Sequence, residues 1–287
     1  MPVDPSDDRR PTRQPRGGPA MSPVVRRWII GAAGIAGVIL LWWLVAVLVF
    51  PPAPGAVNSA VPTPGQVLAQ IVADGPTLYW KYFSVTLTET GVGYLWGNGI
   101  ALLLSAVVLL LPRFETVLMQ LAVISYCIPI VALGSIAVII LGGAKTTGDP
   151  SATAVFLAAV SVFFTTVVGA LHGLKAADPA SLDVIDVLGG SRLTQLVKVR
   201  LIAALPSILN ALSIAVPAAF LGAVLGEYMG KIDVSVGTLM ITSQVQMDSP
   251  RVWALFLLSA LAALVGYALV GLLARLVTPW STGRTQA

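Results

Sequence analysis

The chain is 287 residues long, 56% hydrophobic and only 10% charged, with a formal net charge of +4 and a mean hydropathy of +0.88. A soluble domain of this length carries about 25% charged residues, so a soluble enzyme or binding module is excluded and one membrane domain is the simplest organisation. The positive balance does not point to nucleic acid, because the basic residues sit at the ends of apolar runs.

Six runs without Asp, Glu, Lys or Arg are long enough to cross a bilayer: 28–50, 92–111, 116–141, 151–174, 201–226 and 252–274. The shortest holds 20 residues, ~30 Å as a helix. The fold class expected is therefore all-α, a polytopic membrane protein with six transmembrane helices. Residues 1–27 read as a disordered cytosolic tail, the first 23 being rich in Pro, Arg and Gly. The apolar run behind this tail is 23 residues long, against about 7–15 for a secretion signal, so it reads as a retained first span. Met1 and Met21 both fit as the start.

The prolines of segment 51–75 disfavour a helix until Pro64, after which GQVLAQIV suits a short one. Residues 78–89 mix Tyr, Trp, Lys81 and Thr, a composition that suits the membrane surface. Gly93 and Gly97, then Ala218, Gly222, Gly226 and Gly230, recur every four residues and form small faces for close helix packing. Pro129 and Pro217 lie inside the third and fifth runs, where each removes a backbone hydrogen bond; the third run reads as one kinked span in preference to two shorter segments broken near Pro129, since neither half is long enough to cross alone. Cys127, the single cysteine, lies in that run and reads as a small packed side chain. Ser125, Tyr126 and Ser213 are polar positions in the third and fifth runs, candidates with Pro129 and Pro217 for a translocation pathway. Glu227 closes the fifth run, beside Lys231, and is a candidate for an outer gate or a docking contact.

Orientation follows from the basic residues. With the N-terminus in the cytosol, 13 of the 17 Lys and Arg fall inside, and Lys81, Lys145, Lys231 and Arg251 fall outside. Both termini are then cytosolic, including the tail 281–287. The longest inside loop, 175–200, has helical pattern of its own. Asp178 suits an N-cap before Pro179, and Leu182, Ile185 and Leu188 make an apolar strip. Gly189 and Gly190 end this helix, and Ser191 suits the cap of a second one that runs into the fifth span. A charged, hinged loop between two spans offers a handle to a soluble partner. With two Asp and no basic residue in its first helix, it is poorly suited to an anionic lipid surface.

Residues 183–206 resemble the coupling-loop signature of binding-protein-dependent ABC importer permeases, EAA, three residues, Gly, nine residues, Ile, one residue, Leu-Pro. Asp183 stands for the Glu, Val184 and Ile185 for the paired Ala, Gly189 for the Gly, Val199 for the Ile and Leu201 for the Leu. Ile202 replaces the Pro, with Pro206 four residues on. LKAADPASLDVIDVLGGSRLTQLVKV, VPTPGQVL, GAVLGEYMG and the final TPW are similar to the branch that moves nitrate, taurine, sulfonates and pyrimidine precursors. The likeness covers residues 28–280. It implies a type I importer permease, coupled through Asp183, Val184, Ile185, Gly189, Gly190 and Ser191 to soluble ATPase subunits, in a bacterial plasma membrane. An extracytoplasmic substrate-binding protein would deliver the solute, and a second copy or a sister permease would complete the pathway.

No G-x-x-x-x-G-K-[ST] phosphate loop is present; GGAKTTG at 142–148 has Ala144 where a Gly is needed. The resemblance thus implies no cofactor in this chain, with ATP held by the partner ATPase, and no bond change catalysed here. Two other classes compete. A secondary transporter would place ionisable groups in its spans, and the six runs hold none beyond His172. An intramembrane serine hydrolase would use Ser135 and His172, but the G-x-S-x-G elbow is missing.

Overall fold

The computed structural model describes residues 22–52, 58–144, 146–230 and 233–281. Among them all regular structure is helical.

Residues up to Pro51 form a unit of their own. Its helix α1, Pro23–Leu48, opens behind Ser22, whose hydroxyl accepts the Val25 N–H at 3.3 Å. At 26 residues it is ~39 Å long. The helix starts five residues before the expected boundary at 28; the rest of the expected tail, 1–21, lies outside the described residues, as does 282–287.

The second unit begins at Pro52. Helix α2, Pro64–Leu110, starts where the prolines of the preceding segment stop. Thr63 and Gln66 close a capping box: the Thr63 hydroxyl accepts the Gln66 N–H, and the Gln66 carboxamide oxygen accepts the Thr63 N–H at 2.8 Å. The helix breaks at Gly75 (φ 73°), because Pro76 disfavours α geometry in the residue before it. Residues 76–110 then run without interruption. Residues 78–89, expected at the membrane surface, are the outer turns of this helix, with Tyr79, Phe83, Val85, Thr86 and Glu89 buried in the bundle and Trp80 exposed.

The third run is not one continuous helix. It forms α3, Glu115–Cys127, and α4, Ile130–Leu141, inclined at 94°. Ile128 and Pro129 are both extended, with ψ of 126° and 117°, so the axis turns over two residues instead of bending around one lost bond. With 13 and 12 residues, each half is only ~20 Å long. Among the described residues five helices are long and apolar enough to span, and the count is six when the bent pair is taken as one broken span.

Helix α5, Ala152–Lys175, is the centre of the bundle and packs most closely on α8, Leu201–Gly230, and on α2. In lipid these contacts rest on shape, since the tails are as apolar as the side chains. The small stripes supply it: a Cβ on Gly93 would sit 2.5 Å from that of Ala158, and one on Gly226 would strike the backbone of Ala154. Two polar pairs also cross these seams. The Thr166 hydroxyl donates to the Asn98 carboxamide at 2.5 Å, and the Tyr94 hydroxyl donates to the Leu212 carbonyl at 3.1 Å. Helices α9, Val236–Val245, and α10, Ser249–Val277, complete the unit. Between α5 and α8 lie the short helices α6, Pro179–Val187, and α7, Arg192–Gln195. Cys127, expected to be packed, is exposed on α3.

Candidate functional site

The loop between α5 and α8 is built around its glycines. Helix α6 starts at Pro179 after an extended Asp178, whose carboxylate does not cap the helix as expected but accepts the Ser181 hydroxyl at 3.2 Å. At the other end the Gly190 N–H donates to the Ile185 carbonyl at 2.8 Å and the Gly189 N–H to that of Asp186 at 2.9 Å. These paired bonds form a Schellman turn, with Gly189 at φ 73° in the left-handed position. Gly190 is required for a different reason, because a Cβ there would collide with the Ile185 side chain and its carbonyl. Ser191 then caps α7, accepting the Thr194 N–H at 3.3 Å.

Three contacts brace this loop and the helix ends around it. Gln195 Nε2 donates to Asp186 Oδ1 at 2.6 Å, holding α6 against α7. Arg200 Nη1 donates to the Leu174 carbonyl at 3.3 Å. Lys175 Nζ pairs with Glu115 Oε1 at 2.5 Å, joining the ends of α5 and α3. The chain enters α8 through a single wide turn, 196–200, in which the Leu201 N–H reaches back five residues to the Leu196 carbonyl. Such turns are commonly found at functional sites.

The outward face of α6 is apolar. Leu182 and Ile185 are half-buried as expected, but Leu188 is 77% exposed instead of completing their strip. It stands with Val184 and Val187, 57% and 87% exposed, beside exposed Asp183. Burying one Val or Leu contributes about 1.5–3 kcal/mol, so this short face is shaped for cover by another surface.

The far end of the bundle carries Glu227 together with Glu89 and Asp74, which the run-by-run reading missed. Glu89 and Glu227 are both fully buried. Glu89 Oε1 accepts the Ser151 N–H at 2.6 Å and Glu227 Oε2 accepts the Gly237 N–H at 2.8 Å. The Glu227 carboxylate therefore offers no surface for docking, which corrects that part of its expected role; Lys231, its expected neighbour, lies outside the described residues. A signal for Glu89 existed: it precedes Gly93 and Gly97 by four and eight residues, on the same helical face. Nearby, Arg251 grips Asp74 with two bonds, Nε to Oδ2 at 2.9 Å and Nη2 to Oδ1 at 2.6 Å. Tyr79 and Gln70 also donate to Asp74, fastening the first turns of α10 to the segment before Gly75.

The pathway candidates are not brought to one place. Ser125, half-buried, donates to the Ala122 carbonyl, and exposed Tyr126 stacks on Phe164 at 4.7 Å. Pro129 sits at the α3–α4 turn. Ser213 is buried, donates to the Leu209 carbonyl, and lines a cleft of about 230 Å³ between α8 and α10 with Asn210, Tyr267 and Arg275. Pro217 is exposed on α8. His172 and Ser135 are both exposed on different helices, and the Ser135 hydroxyl donates to the Val131 carbonyl.

Residues 97–282 match the family described as the binding-protein-dependent transport system inner membrane component. The chain belongs to this family. A Haemophilus influenzae protein named "Probable ABC transporter permease protein" is 31% identical over 225 residues, 78% of this chain and 86% of the relative. The formylaminopyrimidine transport permease ThiX of Halalkalibacterium halodurans is 27% identical over 77% of this chain and 85% of its own length. A Bacillus subtilis permease named for aliphatic sulfonates, SsuC, is 23% identical over 88% of each chain. The permease is thus a membrane-embedded ABC transporter subunit, and like its relatives it is not an enzyme. Family membership also decides against the secondary transporter. The absence of ionisable groups no longer does so, because α2 and α8 extend past the apolar runs and carry Glu89 and Glu227 inside.

Proposed function

We propose that this permease is one transmembrane half of an importer, with the α6–α7 loop seated in a cytosolic ATPase that binds and hydrolyses ATP. The observation that supports this reading most is the exposed Val184–Val187–Leu188 face on a helix held rigid by the Gly189–Gly190 turn and the Asp186–Gln195 bond. Asp183, Val184, Ile185, Gly189, Gly190 and Ser191 then act together: the first three on the docking helix, the last three as the turn that passes its movement through 196–200 into α8. Both termini face the cytosol, as the basic residues favour. A binding protein meets the opposite end, and a second copy or a sister permease completes the pathway. Ser125, Tyr126, Pro129, Ser213 and Pro217 are proposed to contribute to that pathway, and Glu227 to an outer gate.

The solute proposed is small and polar, of the pyrimidine-precursor or sulfonate kind on the strength of the names of the relatives, or of the nitrate kind that the sequence resemblance also implies. Leu188→Glu tests the docking reading, since it charges an exposed side chain without touching the turn. The variant should insert and fold normally yet lose co-purification with its cognate ATPase and lose ATP-dependent uptake. Normal ATPase stoichiometry in the variant overturns the assignment of this face.

A further inference from the structure

At the end of the bundle away from α6, two carboxylates meet out of reach of solvent. Glu89 comes from α2 and Glu227 from α8, both with no exposed surface. Each spends one oxygen on a backbone N–H, from Ser151 at the start of α5 and from Gly237 in α9. The remaining oxygens, Glu89 Oε2 and Glu227 Oε1, are buried without a hydrogen-bond partner. Helix α9 draws the two groups to one spot, since its adjacent N–H groups, of Val236 and Gly237, donate to Thr86, one turn before Glu89 on α2, and to Glu227.

We propose that Glu89 and Glu227 form a proton-binding site, a carboxylic acid and a carboxylate that share one proton between Glu89 Oε2 and Glu227 Oε1. Two adjacent like charges in an apolar interior cannot both persist. A proton removes one charge and converts two orphan acceptors into a donor and an acceptor. Among the described residues, which leave out Lys231, the groups that face the pair from the packed elements are uncharged: Thr86 on α2, Ser151 ahead of α5, and Ser235 with Gly237 at the start of α9. Asp149 and Asp233, the acidic residues nearest along the chain, are exposed. A divalent cation is a poor alternative occupant. It takes six or more oxygen ligands, whereas only two carboxylate oxygens are free here, and the described residues contain no group of three metal-ligating side chains. Because the two oxygens belong to different helices, drawing α2 away from α8 at this end would remove the proton's second partner and release it to water.

Infrared spectroscopy of the purified full-length permease at neutral pH tests the proposal, with Glu89→Gln and Glu227→Gln as partners. Each glutamine keeps an acceptor for the backbone N–H and supplies an N–H where the proton was, so both variants should fold. The wild type should show a protonated-carboxyl carbonyl band, lost in either single variant and kept in the exposed control Glu115→Gln. Absence of the band from the wild type overturns the proposal without any variant. So does a band that survives in one of the two variants, which would mean an acid protonated alone. A sodium-dependent rise in wild-type melting temperature, absent from both variants, would assign the site to a metal cation instead.

Discussion

Asp186 and Gln195 face each other across the Gly189–Gly190 turn, 2.6 Å apart from carboxylate to carboxamide. It is a direct side-chain bond between α6 and α7, so under the proposed docking a push on α6 would pass through it as well as through the turn. Both residues are solvent-accessible, and an exposed bond of this kind contributes only about 0.5–1 kcal/mol to stability. Gln195→Ala is therefore expected to leave the melting temperature nearly unchanged while lowering uptake per ATP hydrolysed by roughly fivefold, equivalent to about 1 kcal/mol of coupling. Reconstituted transport with parallel ATPase measurement checks it; full coupling in the variant would remove the bond from the force path.

The two glycines of the turn should respond differently. At Gly189 the obstacle is conformational, with φ at 73°. Alanine there should cost about 1 kcal/mol, while asparagine, which tolerates this region, should cost less. At Gly190 the obstacle is the Ile185 carbonyl, 2.9 Å from where a Cβ would stand. Gly190→Ala and Gly190→Asn should therefore both destabilise the loop. Hydrogen exchange at the amides of residues 186–191 would separate the two patterns.

Asp74 and Arg251 form a two-bonded ion pair with the carboxylate almost enclosed, its side chain 6% exposed. Removing either partner leaves the other charge partly buried, at a cost of about 2–3 kcal/mol. Arg251→Lys should fail to restore it, because an ammonium cannot make both bonds. A double-mutant cycle on thermal unfolding in detergent measures the pair, and additive single effects would contradict the geometry.

Cys127 is the single thiol of the chain and is exposed at the end of α3, just before the turn at Pro129. It should react stoichiometrically with a small maleimide in detergent without denaturant. Labelling that requires unfolding would restore the packed side chain expected from its apolar surroundings.

Much of this architecture is legible in the order of residues. The apolar runs foretell the helices because, in a bilayer, a backbone without water must satisfy its own hydrogen bonds. Thr63–Pro64 and Gly189–Gly190–Ser191 mark a start and a stop because their chemistry acts within one turn of chain. Hydropathy fails where polar groups are bonded inside the bundle. Thr86 accepts the Val236 N–H at 3.1 Å, and Glu89 accepts that of Ser151. Such residues look like loop in a composition count and are helix in the fold. The bend after Cys127 is hidden for another reason: one proline is compatible with a mild kink or with a 94° turn, and distant packing chooses between them.

Sequence by itself determined the membrane setting, the apolar segments, the loop that carries Asp183 and Gly189, and the family, since all of these depend on residue type and short spacing. Tertiary structure alone decided that Leu188 faces outward, that α3 and α4 turn apart, and that Glu89 meets Glu227. Those relations join residues up to 138 positions apart (89 to 227), and only the packing of α2, α5 and α8 around their small-residue seams brings such groups within bonding distance.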